Sequence, residues 1–231
     1  MNKEKFKEEL QKLNINLTKN QEIKLEAYYN LLIAENKKQN LTTITKKEEV
    51  YLKHFYDSLT IVKIVDLTKP LTLLDIGTGA GFPGLVLKIV FPNLHVTLID
   101  SKEKKINFLN NVIKTLNLTD IKAISTRIES YQKETFDIVT SRAVSKTNIL
   151  LELACKLVKI NGFLILLKSN INEELKESKE AIKKLNYCLE EKTEFYLPIE
   201  NSKRTILKFK KLKESPNKYP RNFAKIKKKP L

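Results

Sequence analysis

Apolar residues recur at helical spacing through the first 65 residues, then fall into short runs alternating with helical stretches from Leu71 onward. Phe6, Leu10 and Leu13 share one face of a helix predicted over 3–13. Thr18 and Gln21 have the spacing of a capping box. They open a second helix carrying Ile23, Tyr28, Leu31 and Leu32 towards about residue 37. Asn40-Leu41-Thr42-Thr43 reads as a polar loop, and Lys47 to about Val65 as helical, in one piece or two. No strand-like pattern occurs in this first region.

Strands are predicted at 71–76, 95–99, 121–125, 136–141 and 162–168, and helices at 83–90, 103–116, 147–158 and 172–186. Two last strands, 189–197 and 205–211, are separated only by residues 198–202. Parallel strands need a longer crossover, so this pair is antiparallel. Residues 214–231, with Pro216, Pro220 and Pro230, read as an extended tail. The pattern predicts an α/β fold with a doubly wound sheet and a terminal antiparallel hairpin. It divides into an N-terminal helical extension (1–65), a sheet domain (66–213) and a basic C-terminal tail (214–231).

Composition narrows this picture. With 42% hydrophobic residues the 231-residue chain can bury a full core. No apolar run is long enough to span a membrane, and Met1-Asn2-Lys3-Glu4-Lys5 leads into a charged helix rather than a signal peptide. Cys155 and Cys188 lie far apart in apolar patterns, and His54 and His95 are the only histidines, so no metal is expected. Both cysteines read as buried small hydrophobes in a reducing cytosol. The net charge of +16 is unevenly placed. Residues 203–231 hold 12 basic residues and one acid, a net +11, against +5 for the other 202 residues. Lysine enrichment alone explains the total better than the asymmetry, so an anionic polymer is the expected partner.

The candidate chemistry centres on Asp75-Ile76-Gly77-Thr78-Gly79-Ala80-Gly81-Phe82-Pro83-Gly84, which holds four of the five glycines. Strand, glycine loop and helix in this order open a nucleotide-type cofactor site. The literal match of Gly79 to Gly84 with a dinucleotide fingerprint is weak evidence for NAD. Asp75 argues against it, because a carboxylate at the strand's end would repel a pyrophosphate. S-adenosylmethionine has no phosphate, and its ammonium suits Asp75, held directly or through water. Asp100, ending the second strand, is placed for ribose hydroxyls. Ile128 and Glu129 follow the third strand and are placed for adenine, and Arg142 ends the fourth where reacting groups would meet. Lys168 ends the fifth strand, facing either RNA or plain solvent.

Absences limit the reaction. No Asn/Asp-Pro-Pro-aromatic loop follows the fourth strand, and no cysteine ends the fourth or fifth. Amine methylation and covalent attack on a pyrimidine are therefore disfavoured. Direct attack by a lone pair on the sulfonium methyl remains, and guanine N7 suits it because it carries no proton. The rival readings are a methyltransferase for small molecules or protein, an RNA-binding protein on a lapsed methyltransferase fold, and an NAD oxidoreductase.

Asn40-Leu41-Thr42, His54-Phe55-Tyr56-Asp57-Ser58-Leu59, Asp75 through Gly84, Ser141-Arg142-Ala143, Tyr219-Pro220-Arg221 and Lys229-Pro230-Leu231 stand in an order that strongly resembles the RsmG (GidB) family. The resemblance runs almost the whole length. It implies a Rossmann-like (class I) methyltransferase that moves a methyl group from S-adenosyl-L-methionine to guanine N7 in 16S rRNA of the small ribosomal subunit or its assembly intermediate. The expected molecule is a cytoplasmic monomer without a metal. By the resemblance, Gly77, Phe82, Ile128, Glu129 and Arg142 contact the cofactor; Asp75, Gly79, Gly81 and Asp100 join them from the residues themselves. Arg142, with Lys168, is the expected electrostatic and positioning group. Two departures stand out: Ser169 replaces a usual glycine, and Asn222 to Ile226 lack another. His54 and Asp57, three residues apart, read first as a polar pair tying the helical extension to the sheet, and second as substrate contacts. Asn40 reads as a turn-fixing side chain.

Overall fold

The computed structural model describes residues 1–131, 134–169, 171 and 173–231. Its sheet has seven strands: β1 (Thr72–Ile76), β2 (His95–Asp100), β3 (Ile121–Ser125), β4 (Phe136–Arg142), β5 (Val158–Lys168), β6 (Tyr187–Tyr196) and β7 (Lys203–Lys211). Their order is β3-β2-β1-β4-β5-β7-β6. β1 to β5 are parallel, and β7 runs antiparallel to both β5 and β6. The chain reverses direction across the sheet at β1, so the carboxyl ends of β1 and β4 flank the switch point where open α/β sheets place ligands.

Successive side chains leave opposite faces of a strand, and β1 shows how both are used. Leu73 packs with Leu85, Leu98 and Leu109 on one face, in a core that also takes Phe6, Leu10, Leu25, Tyr28 and Phe55 from the N-terminal helices. Leu74 packs on the other face with Val139, Leu150, Leu164 and Phe209. The helices Lys3–Gln11 and Lys19–Asn36 thus share a core with the sheet. Thr18 and Gln21 form the expected capping box. The following segment is helical from Lys47 to Lys63 but changes pitch: Lys47–Val50 is α, Tyr51–Tyr56 a π turn, Asp57–Leu59 α, and Thr60–Lys63 3-10.

Several boundaries differ from expectation, each for a local reason. The helix predicted over 147–158 spans only Thr147–Leu153, and β5 starts at Val158 rather than 162. Asn161 sits at φ 65°, and a Cβ on Gly162 would lie 2.8 Å from the Asp137 carbonyl, so the strand enters through a bulge opposite Phe136. The helix predicted over 172–186 is two short helices, Glu174–Glu177 and Lys179–Lys184; its expected first residue, Asn172, lies outside the described residues. The tail is not simply extended. Phe223–Lys228 is a helix capped by the Asn222 side chain, with Ile226 fully buried beneath it. Burying one isoleucine is worth about 1.5–3 kcal/mol, less than the cost of ordering six residues, so the helix also depends on contacts on either side of it.

Candidate functional site

The loop after β1 is held from inside. The Asp75 side chain is fully buried, and its Oδ2 accepts hydrogen bonds from Thr78 Oγ1 at 2.7 Å and the Gly84 amide at 2.9 Å. Its Oδ1 is buried with no partner among the described residues. Burial pushes the carboxyl up to about 7, against the pull of Thr78 and the Gly84 amide. Gly84 must be glycine, since a Cβ there would lie 2.9 Å from the Asp75 Cβ. At Gly81, φ is +107° and a Cβ would meet the Tyr28 hydroxyl at 2.7 Å. That hydroxyl donates to the Ala80 carbonyl, so the N-terminal region helps shape the loop. Asp75 therefore faces the loop, not the open site. The ammonium contact expected of it, directly or through water, does not fit this burial: Oδ1 is closed off and Asp75 lines neither cavity.

A cavity of about 470 Å³ opens beside the loop, walled by Gly77, Asp100, Ile128, Glu129 and Arg142 among others. Asp100 is preset there. Its Oδ2 accepts from the Gly79 amide and Lys105 Nζ, both at 3.1 Å, and its Oδ1 from the Lys102 amide at 3.0 Å. Gly79 acts through that amide, and Gly81 is buried, so neither glycine forms the wall. Phe82, expected to touch the cofactor, also faces elsewhere. Its ring stacks on His54 with centroids 4.3 Å apart, and the Arg142 guanidinium lies 5.2 Å from its centroid. Phe82 lines neither this cavity nor its neighbour. Its aromatic face supports the guanidinium, a cation–π contact.

The neighbouring cavity, of about 560 Å³, lies over β4, β5 and β7 and shares Arg142, Ala143, Val144 and Ser145 with the first. Arg142 is fixed on three sides. It donates to the Lys53 carbonyl at 2.9 Å, to Asp57 Oδ2 at 3.1 Å and to His54 Nδ1 at 3.2 Å. Asp57 is buried, and its Oδ1 accepts from Arg204 Nε at 3.1 Å, so one carboxylate holds two guanidiniums. His54 is pushed down to about 3 by burial and by Arg142. The neutral ring accepts at Nδ1 and donates from Nε2 to Thr42 Oγ1 at 2.9 Å. His54 and Asp57 thus meet through Arg142, tying the helical segment to β4 and β7 while also facing the cavity.

Lys168 is not free. Its Nζ donates to the Ser145 carbonyl at 2.6 Å and to Glu174 Oε2 at 2.8 Å, clamping the loop after β4. Thr147 adds its amide and hydroxyl to the same Glu174 oxygen, and these donors hold the Glu174 carboxyl below its usual range against the effect of burial. Asn40 is exposed; the turn after it is held by Asn36, whose Oδ1 accepts from the Leu41 and Thr42 amides at 2.8 and 2.9 Å. Arg204 and Phe223 also line the cavities, and neither was expected from the sequence. A usable signal existed for Arg204, since the chain has only four arginines. Among the described residues, no group of three or more His, Cys, Asp or Glu side chains could hold a metal ion.

A parallel sheet with an antiparallel hairpin, a glycine loop after β1 and paired cavities over its carboxyl edge define a Rossmann-like methyltransferase. Ribosomal protein L11 methylase from Lactobacillus delbrueckii subsp. bulgaricus shares this fold, with a TM-score of 0.55 at 16% identity over 74% of this chain and 81% of that one. The family model of GidB, rRNA small subunit methyltransferase G, matches residues 20–204, and the chain belongs to that family. It is 45% identical to Ribosomal RNA small subunit methyltransferase G of Bacillus cytotoxicus over 96% of this chain and 95% of that protein. To the protein of the same name from Bacillus pumilus it is 44% identical over 100% and 99%.

Proposed function

We propose that this chain acts in the cytoplasm, transferring a methyl group from S-adenosyl-L-methionine to N7 of a guanine in 16S rRNA of the small ribosomal subunit or its assembly intermediate, by direct displacement. The observation that carries this reading is the pair of adjoining cavities with Arg142 in their shared wall. The first suits the cofactor: Asp100 for ribose hydroxyls, Ile128 and Glu129 for adenine, Gly77 in the wall, and Asp75 holding the loop behind them through Thr78 and the Gly84 amide. S-adenosyl-L-methionine, when bound, supplies the activated methyl and leaves as S-adenosyl-L-homocysteine.

The second cavity suits a nucleotide. Lys53, Arg142, Lys168 and Arg204 line it against two carboxylates, Asp57 and Glu174, and His54 is neutral. Lys53 is paired with Glu49 and Glu200, and Lys168 with Glu174, so the positive excess in this wall is that of Arg142 and Arg204 over Asp57, which suits an RNA phosphate. Among the described residues, no base stands free in that wall. Asp57 is committed to two arginines, Glu174 to Lys168 and Thr147, and both His54 nitrogens to Arg142 and Thr42. A nucleophile that must lose a proton would find no acceptor. Guanine N7 has none to lose, so alignment and electrostatics suffice.

Two measurements test the reading. Chemical cleavage at N7-methylguanosine in 16S rRNA is expected to show a site that depends on this gene, and identical patterns with and without it would refute the assignment. With saturating cofactor, the single-turnover rate is expected to stay flat between about pH 6 and 8.5; a steep titration that persists in Asp75→Asn, which lacks the carboxyl raised to about 7, would mean that a general base takes part.

A further inference from the structure

The cofactor cavity has a wall contributed by the C-terminal tail. Phe223, half-buried at the start of the last helix, lines it together with Ile128 and Leu153. The same residues meet in a small apolar cluster: Phe223 and Ile128 both pack against Ile149, Leu153 and Ile226. The ring therefore stands next to the side chain that the cofactor reading places against adenine.

The tail is held in that position firmly. Arg221 grips Glu152, a carboxylate with no solvent exposure, through Nε to Oε1 at 2.8 Å and Nη2 to Oε2 at 2.6 Å, and its backbone amide adds a bond to Oε1 at 3.0 Å. A buried carboxylate left without such a partner is strongly unfavourable, so Glu152 specifies where Arg221 sits. Asn148 Nδ2 donates to the Leu231 carbonyl at 3.1 Å, pinning the far end. Between these anchors Asn222 caps the helix and Ile226 is fully buried. The first helical residue, Phe223, has little freedom to turn away.

We infer that Phe223 is a cofactor-contact residue, its ring forming with Ile128 an apolar cleft for the adenine, and that the tail is part of the binding site. The assignment rests on the cofactor reading above. An aromatic ring offers a π face to a purine, and losing such a contact is expected to weaken binding roughly tenfold, about 1.4 kcal/mol.

Calorimetric titration of S-adenosyl-L-homocysteine into the full chain without RNA tests this. Phe223→Ala is expected to bind about tenfold more weakly than the unsubstituted protein, with its unfolding temperature measured alongside. Phe223→Trp is expected to retain binding. Because the chain has no other tryptophan, that variant also reports on the site directly, and its emission should change as the ligand saturates. Equal affinity of the unsubstituted and Phe223→Ala proteins, or tryptophan emission indifferent to saturating ligand, would overturn the assignment while the cofactor reading stands. No binding by the unsubstituted protein would overturn both.

Discussion

Three of the four arginines sit against buried carboxylates: Arg142 and Arg204 on Asp57, and Arg221 on Glu152. In a lysine-rich chain that choice has a physical reason. The planar guanidinium keeps its charge when buried and meets a carboxylate with fixed geometry, whereas a lysine is a more heavily hydrated point charge. Asp57 is the critical partner, because removing it leaves two guanidiniums facing one another without a counter-charge. Asp57→Ala is expected to cost about 3 kcal/mol in urea unfolding and to lower methyl transfer by misplacing Arg142; unchanged stability would show that the pair is incidental. Asp75 gives a pH signature. Its folded-state carboxyl is raised from 3.8 to about 7, so the folded state holds a proton that the unfolded state has lost within that window. Stability from this group is full below about pH 4 and falls as pH rises through 7. Asp75→Asn removes that loss, so the unfolding free energy of the variant minus that of the unsubstituted protein should rise from pH 5 to pH 8; a constant difference would mean that Asp75 titrates normally. His54 works in the opposite sense. Its folded value lies near 3, so it takes stability away as pH falls below about 6.5, and the comparison within one background cancels it. The positions of Asp75 and Asp100 were readable because strand ends announce themselves. The directions of Phe82 and Lys168 were not, since they depend on His54 and Glu174, which other elements supply.

At the scale of elements, the parallel strands were legible because each is an apolar run bounded by turn residues, and the short separation of the last two dictated their antiparallel pairing. Errors gathered where apolar residues continue past an element's end. Ala154, Cys155 and Leu157 extend the helical pattern beyond Leu153, yet they pack beneath the turn into β5. The π turn at Tyr51–Tyr56 was likewise invisible. Tyr51, Phe55 and His54 have ordinary helical spacing, and only stacking of Phe55 against Tyr28, and of His54 against Phe82, distinguishes the wider turn. Turns of this kind often mark functional sites. The tail helix was missed because two apolar residues among lysines make a weak pattern, while the Glu152 that anchors it lies 69 positions away. Glu152→Ala should release this element without unfolding the sheet domain. Limited trypsin digestion is then expected to cut at Lys225, Lys227 and Lys228 several times faster, because local opening becomes cheaper than global unfolding. Unaltered cleavage would mean that Ile226 and the Asn148 contact suffice.

The molecule as a whole separates two jobs along one sheet edge. The side chains proposed for the cofactor gather over β1, β2 and β3, and cationic side chains gather over β4, β5 and β7, with Arg142 to Ser145 as the partition. The excess charge of residues 203–231, read from the sequence as a polymer contact, is partly spent within the protein. Arg204, Lys211 and Arg221 are spent inside the protein, on Asp57, on the Leu185 carbonyl and on Glu152. Lys225, Lys227, Lys228 and Lys229 remain exposed on or just after the last helix, which carries Phe223 over the cofactor cavity. Lys203 and Lys208 pair with Glu194 and Glu190, whereas Lys213 and Lys218 are exposed like the tail lysines and equally available to phosphates. RNA affinity should therefore fall steeply with added salt, and replacing the four lysines by glutamine should reduce the slope of log affinity against log salt by about 0.7 for each phosphate no longer neutralised. Binding of S-adenosyl-L-homocysteine should be unchanged by the same replacements, since none of the four lysines lines its cavity. Filter binding across a salt series, paired with calorimetry on the same variant, separates the two jobs. An unchanged slope would place the RNA contact on other cations, those of the cavity or Lys213 and Lys218, and loss of ligand binding would mean that the lysines hold the tail rather than the RNA.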